Sequence, residues 1–599
     1  MPWLLNLQET YDANEQEVGK YKKNRFNHEI TLIPIAHTTQ TAHVEVVVTK
    51  EGDFHSANVI EKDDASTVIP TTVDSASRSG AAIYPYPLHD KLSYTAGDFT
   101  NYAHKIGKGN SFKVYIDQLE EWVNSPYNHK TVEAIYKYVK KGRLIQDLVN
   151  EKVLFLDENG KLIKKWNKKY EELYGERPEI FSVITGDQED ALIRFSVHSP
   201  TEIIKKPWRD KEVFQSFIDF YQEQLEGEDV CFVTGEILPS TEKHANKIRN
   251  PGDKAKLISG NDTSGFTFRG RFNKSKEVAS ISYIVSQKAH NALKWLIDKQ
   301  GKTIDGRVFL VWGNDKVDIP DPQENSMFLG FDMNADVSNA TTHADFAKQF
   351  SKAVDGYKHN LQSDSNINIL VLDSATTGRM GVLYYRNMDK DLYFNRLKEW
   401  HTTCVWKHRY VRDDDKKLIE FIGAPATKDI AFAAYGSNAN DKLVKGLMER
   451  LLPCILEGRT IPLDIIRSAF YRASNPISME KWEWEKTLSI TCSLVNQKER
   501  LSVGLDTNNN DRDYLFGRLL AVADVLERSA MDDNEGRTTN AVRYMNAFSN
   551  HPARTWKTIQ ESIQPYQVRL GKRANYYTKI MDEIASRIKI EEFNDKPLS

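Results

Sequence analysis

Two spacings of apolar residues divide this chain, and they constrain its fold more than any motif does. From about Pro476 onward the apolar positions recur at helical spacing. Leu515, Leu519, Val522 and Leu526 step by 4, 3 and 4; Trp556, Ile559, Ile563 and Tyr566 step by 3, 4 and 3; Tyr577, Ile580, Ile584 and Ile588 complete the set. A stripe at that period buries one face of a helix and no face of a strand. Several such stripes joined by short Asn, Pro and Gly links predict an antiparallel helical bundle. The first hundred residues read differently. ITLIPIAH (Ile30–His37) and HVEVVVTK (His43–Lys50) are β-branched runs, and the second meets a turn at Glu51-Gly52-Asp53 before FHSANVIE. At 599 residues the chain exceeds what one core usually holds. The expected fold is α+β, a mixed α/β body over 1–475 followed by an all-α bundle over 476–599.

Within the body, Tyr115, Leu119 and Trp122 lie 4 and 3 apart and predict one buried helical stripe. A second helix is expected over Asp210–Leu225, burying Val213, Phe217 and Tyr221. A third is expected over Val278–Gly301, closed by its glycine. RVFLVWG and INILVLD read as buried strands, and Ile367–Arg386 reads as a β-hairpin with a Thr-Thr-Gly tip.

Enzyme motifs are missing: there is no phosphate loop, no Gly-x-Ser-x-Gly elbow and no His-Glu-x-x-His. The nearest approach to a metal cluster is His401, Cys404 and His408 in LKEWHTTCVWKH. On one helix these would share a face, but no fourth ligand is in sight, so they read as packing residues of a half-buried helix. No catalytic residue, metal or cofactor is expected. The four cysteines lie far apart with no Cys-x-x-Cys pair, which argues against a disulfide framework and fits a reducing cytoplasm. No run approaches 18 apolar residues, and the amino terminus has neither the basic start nor the apolar run of a signal peptide, so neither a membrane nor an export signal is expected.

Charge is the informative feature. Lys243–Phe272 (KHANKIRNPGDKAKLISGNDTSGFTFRGRF) holds seven Lys/Arg and two Asp/Glu, a local +5 in a chain of net −3. Strand alternation in FTFRGRF would put Phe266, Phe268 and Phe272 in a core, with Arg269 and Arg271 projecting together on the other face. Upstream, Lys247, Arg249, Lys254 and Lys256 share a loop with Asn246 and Asn250. An ordinary solvated loop would account for any one of these lysines. The constellation as a whole points to nucleic acid, since phosphate contacts dominate such binding and the guanidinium fork bonds two oxygens at once.

The order RSGAAIYPYPLHDKLSYTAGD (Arg78–Asp98), CFVTGE (Cys231–Glu236) and HANKIRNPGDKAKLISGNDTSGF (His244–Phe266) resembles the Csd-type large subunit of the subtype I-C CRISPR surveillance complex, Cascade. YLFGRLLAVADVLE (Tyr514–Glu527) and RYMNAFSNHPARTW (Arg543–Trp556) are similar to that family's terminal helices. One departure is the hairpin tip, Ala375-Thr-Thr-Gly-Arg379, where the family often carries Pro-Asn-Ala-Ala-Arg.

The resemblance implies a non-catalytic cytoplasmic subunit that recognises a protospacer-adjacent motif in double-stranded DNA, helps open the duplex and recruits a helicase-nuclease. Guide pairing supplies the sequence specificity. Implied partners are the guide RNA complex, the backbone and guide-processing subunits, small helical subunits and target DNA. Motif reading is expected from Arg78, Ser79, Gly80 and Tyr84 in the Ser77–Tyr86 loop, for which a surface turn docking on a neighbouring subunit is the equal alternative, and from Asn246 and Asn250. Phosphate contacts are expected from Lys247, Arg249, Lys254, Lys256, Arg269 and Arg271. In the bundle, Arg554, Lys557, Arg569, Lys572 and Arg573 are candidates for holding a displaced strand. The family can also make its small subunit by internal initiation, and Met479 would start a product of 121 residues. Two other readings compete: a guide-RNA-binding structural subunit without duplex contact, and a nucleic-acid enzyme.

Overall fold

The computed structural model describes residues 2–76, 78, 82–104, 109–200, 202–260, 271–314, 318–329, 343–359, 361, 365–412, 418–499, 505–531 and 537–598. Strands and helices are mixed in the amino-terminal part and helices alone make up the carboxyl-terminal part, an α+β chain. It divides into two compact units, Met1–Asp318 with Asn368–Asn387, and Ile319–Ile367 with Met388–Ser599.

Among the described residues the first unit has, besides a small satellite of Ala42, Ile60, Ala65 and Leu192, two large cores. In one, the β-branched run Val44–Thr49 pairs antiparallel with Phe54–Val59 and parallel with Leu192–Ser199, Val44 lying opposite Ile193 and Thr49 opposite His198. Five of its six residues are buried, as a strand covered on both faces requires. The turn between the two antiparallel strands needs a glycine. Gly52 has φ +85°, and a Cβ there would sit 2.5 Å from Lys137 Cβ and 3.1 Å from the Ala134 carbonyl of helix Lys130–Val139. Helix Ser111–Asn124 buries Tyr115, Leu119 and Trp122 completely, and helix Lys211–Gln222 buries Val213, Phe217 and Tyr221, both as their spacing predicts. The strand expected over Ile30–His37 is broken into Glu29–Thr31 and His37–Thr41. Pro34 has no N–H for a ladder, and Ala36 turns left-handed at φ 55°.

In the second core, helix Pro2–Ala13 lies along helix Tyr283–Gln300 beside a four-stranded sheet. Its order is Lys302–Ile304, Arg307–Gly313, Asn366–Thr376, Arg379–Asp389, so both predicted strands and the hairpin are present. The long helix begins five residues later than its apolar pattern suggests. Thr241 N–H donates to the Ile281 carbonyl and Ser240 bridges Ser282, which draws the residues before Tyr283 into an extended edge.

In the second unit, helix Lys390–Thr403 ends one residue before Cys404, and Trp406–Arg412 is a strand paired with Leu418–Gly423. His408 therefore stands on a strand, not on the helix that LKEWHTTCVWKH suggests. His401 Nδ1 lies 2.8 Å from Ser326 Oγ; His408 lies between Ser489 Oγ at 3.0 Å and the Gly423 carbonyl at 3.1 Å. Helix Lys481–Glu499 packs on Leu463–Ala473, Thr427–Tyr435 and that same strand. Helices Arg512–Ala530, Pro552–Leu570 and Ala574–Arg587 instead share a core of their own, built on Leu515, Leu519, Leu526, Trp556, Ile559, Ile563 and Ile584. Among the described residues no helix is long and apolar enough to cross a membrane.

Candidate nucleic-acid interface

Two loops that sequence treats separately lie against each other in the first unit. The earlier one follows the short helix Val73–Ala76 and is tied down by Arg78. Its guanidinium donates to both oxygens of Asp90, at 2.7 and 2.6 Å, and to the Tyr84 carbonyl at 3.0 Å. It lies 4.1 Å from the ring centre of Tyr86 and 4.8 Å from that of Tyr94. Asp90 is fully buried and also accepts from the N–H groups of Tyr86 and Lys91. Burial works to lower the Arg78 pKa, but the Asp90 carboxylate outweighs it and holds the guanidinium above its ordinary value. Tyr84 is half-buried. Ser79 and Gly80 lie outside the described residues.

The later loop is a built turn. Arg249 donates to the two oxygens of Asp253 at 2.8 and 3.0 Å and to the Gly306 carbonyl at 2.6 Å, while Asp253 takes the Ala255 N–H at 3.1 Å. The Asn250 side chain accepts from Gly252 N–H at 3.0 Å, an Asx turn. Ile248, Ala255 and Ile258 anchor the segment in the second core. Lys256 bonds through its backbone to Gly378 and Met380 at the hairpin tip, at 3.2 and 3.0 Å. These anchors leave Asn250 and Lys254 exposed and Asn246, Lys247 and Lys256 half-buried at the surface. Arg269 lies outside the described residues. Arg271 is exposed in a turn and belongs to no strand.

Lys243 joins the two loops: its ammonium pairs with Asp74 and lies 5.5 Å from the Tyr84 ring centre. Beside it a cluster of cations converges from three segments. Burial lowers the pKa of Lys247, and the charge of Arg78 lowers it further. Lys256 is lowered by burial and then by Lys243. Lys294, on helix Tyr283–Gln300, falls to about 8 through burial and the charge of Lys247, against a smaller opposing pull from Asp298. Among the described residues none of these three ammonium groups makes an ion pair or a hydrogen bond. Half-buried cations held near one another without a direct ion pair or hydrogen bond make a candidate anion site, with the Asp298 carboxylate as the opposing charge at Lys294.

Beneath the cluster, His244 Nδ1 lies 2.9 Å from Ser286 Oγ, and His290 Nδ1 donates to the Ser286 carbonyl at 2.7 Å. Burial holds these histidines down at about 3 and about 4, so they are neutral at physiological pH and add no charge.

Lys294 is the residue that sequence reasoning missed. Its signal was available: it stands alone among Asn291, Ala292, Leu293, Trp295, Leu296 and Ile297, all buried. A cation in such a run must reach a surface or a partner.

In the bundle, Arg554 and Lys557 begin helix Pro552–Leu570 and Arg569 ends it, followed by Lys572 and Arg573 in the turn Gly571–Arg573; all five are exposed. They form two groups, about 22 Å apart along the helix axis. The Asp595 carboxylate caps the helix by accepting from Arg554 N–H at 2.8 Å.

The signature of the family described as CRISPR-associated protein (Cas_Csd1) matches residues 7–598. No curated protein matches the chain. With the family signature covering nearly its whole length, and with the ordered motifs from Arg78 to Trp556, the chain belongs to the Csd1 family of CRISPR-associated proteins.

Proposed function

We propose that this chain is the non-catalytic large subunit of an RNA-guided Cascade complex, and that the surface made by residues 78, 82–86 and 243–256 recognises the protospacer-adjacent motif in duplex DNA. The observation that carries this reading is the convergence of Lys247, Lys256 and Lys294, unpaired among the described residues, beside the exposed Asn250 and Lys254. Ammonium groups there suit phosphates, and an exposed side-chain amide suits a base edge in a groove. Arg249 and Arg78 take the part of positioning residues, since each guanidinium is already shared between a carboxylate and a carbonyl. Once the motif is held, the guide pairs with the opened strand, the bundle cations hold the displaced one, and a helicase-nuclease is recruited.

The test is binding of the assembled complex to duplexes with and without the cognate motif. Lys247→Ala/Lys256→Ala is expected to weaken both duplexes together and to reduce the salt slope by about 2, one per phosphate contact. Asn250→Ala is expected to lower only the preference for the motif. If the lysine pair leaves affinity and salt slope unchanged while assembly suffers, the surface faces a partner subunit and the reading fails.

A separate small subunit starting at Met479 belongs to the same proposal. Its support is that helices 512–587 carry a core of their own. The product would also contain helix Lys481–Glu499, whose buried Ile490 and Leu494 pack on body helices in the full chain, so the short form needs a new cover for that face. Expression of the wild-type gene is expected to yield a 121-residue product, and changing the Met479 codon to remove it. A wild-type preparation without any short product would sink the idea.

A further inference from the structure

Charge in the bundle is strongly one-sided around the turn Gly571–Arg573. Residues 552–579 hold six Lys/Arg and a single acid, Glu561, whereas 580–598 hold three Lys/Arg and five acids. At the centre of the basic part stands Tyr576, 67% exposed. Lys572, Tyr576 and Lys579 are 4 and 3 apart and share one face of the turn and helix, with Arg573 three residues before the tyrosine. Among the described residues, Lys572, Arg573 and Lys579 have no ion pair, and all three are exposed. The tyrosine ring is held in place: it meets Tyr577 edge-on at 5.4 Å between centroids, and the Tyr577 hydroxyl lies 3.0 Å from Ser529 Oγ. A lone exposed apolar residue needs no explanation. An exposed, supported aromatic ring among three unpaired cations is the arrangement that sequence-tolerant binders of single strands use.

We propose that this corner binds single-stranded nucleic acid, with Tyr576 as a stacking platform for an unpaired base and Lys572, Arg573 and Lys579 holding the flanking phosphates. The inference rests on the reading that the bundle cations hold a displaced strand, and it adds both the stacking residue and a preference for single strands. A duplex keeps its bases stacked inside, so it gains phosphate contacts here but nothing from the tyrosine. An acidic protein would engage the cations without needing the ring.

The experiment uses the full chain, a labelled oligo(dT) of about 20 nucleotides, and a duplex of equal length, read by fluorescence anisotropy over a salt series. Tyr576→Ala is expected to weaken single-strand binding by at least about fivefold, with the salt slope and duplex affinity unchanged. Tyr576→Phe keeps the ring and is expected to stay within about twofold of wild type. Lys572→Ala/Arg573→Ala is expected to lower the single-strand salt slope by about 1.4. Melting curves of the exposed-site variants check that the fold is intact. Full single-strand affinity in Tyr576→Ala overturns the proposal, as does an equal loss on strand and duplex, or a wild-type chain that does not bind the oligonucleotide. Duplex binding through Lys247 and Lys256 is read in the same assay, so failure of the stacking site and failure of the motif surface appear as separate results.

Discussion

Arg78→Ala is expected to destabilise the first unit by about 3–5 kcal/mol, a loss on the scale of a buried ion pair broken from one side. The carboxylate left behind is the reason. Asp90 is completely buried, and without the guanidinium it keeps only the N–H groups of Tyr86 and Lys91. The rings of Tyr86 and Tyr94 lose their cation as well. Equilibrium denaturation of the full chain should show an early transition in Arg78→Ala. Most of the loss should return in Arg78→Ala/Asp90→Ala, where no charge is stranded. DNA affinity should follow stability across the pair, because Arg78 acts by holding the loop against Lys243 and Lys247. Unchanged stability together with lost motif preference would make Arg78 a base reader and remove it from this structural part.

Lys294→Met is expected to move stability and DNA affinity in opposite directions. The lysine sits half-buried, its pKa lowered to about 8 by burial and by Lys247. Its unfolded value is about 10.4, so folding with the ammonium charged costs on the order of 1–3 kcal/mol after allowance for partial exposure. That cost is present in full below pH about 8, where folded and unfolded chains both hold the proton. Between about 8 and about 10.4 the unfolded chain holds a proton that the folded chain has released, so this group makes stability rise with pH in that window. Methionine removes the lysine's cost and its slope together, and part of the gain is offset because Asp298, pushed up to about 6 by burial, loses the cation that opposes that shift. A bound phosphate reverses the preference and draws the proton back, so duplex affinity of the wild type should fall as pH passes upward through 8, and the Lys294→Met variant should lose affinity at pH 7 and show a flatter pH profile. Lys294→Arg, charged throughout, should keep affinity at pH 9. A methionine variant less stable than wild type at pH 7, with unchanged affinity, would make Lys294 a packing residue.

Sequence carried the elements whose packing is local in the chain. The stripes at 115–122 and 213–221 are helices burying those residues, and the runs at 44–49 and 307–313 are buried strands. The stripes from 515 to 584 are helices that bury Leu515, Leu519, Leu526, Trp556, Ile559, Ile563 and Ile584 and leave Val522, Tyr566, Tyr577 and Ile580 half-buried. Periodicity is enough there because one face of each element meets a core whatever that core contains. It failed where a single residue decided the backbone. Pro34 and Ala36 broke a run that reads as one strand, and helix 390–403 stopped before Cys404, so that His408 went to a strand.

The candidate surface was legible as a concentration of charge and not as an arrangement. Counting cations marked residues 243–272, but it weighed Arg249 like Lys247. Only the fold shows that Arg249 spends its fork on Asp253 and Gly306 while Lys247 meets Arg78 and Lys294 with no partner among the described residues. Composition, periodicity and ordered motifs by themselves determined the α+β class and the family, because these depend on which residues follow one another. Which cations are paired, and that residues 78, 247 and 294 share one field, depended on tertiary structure, because ion pairing and desolvation act across space between groups far apart in the chain.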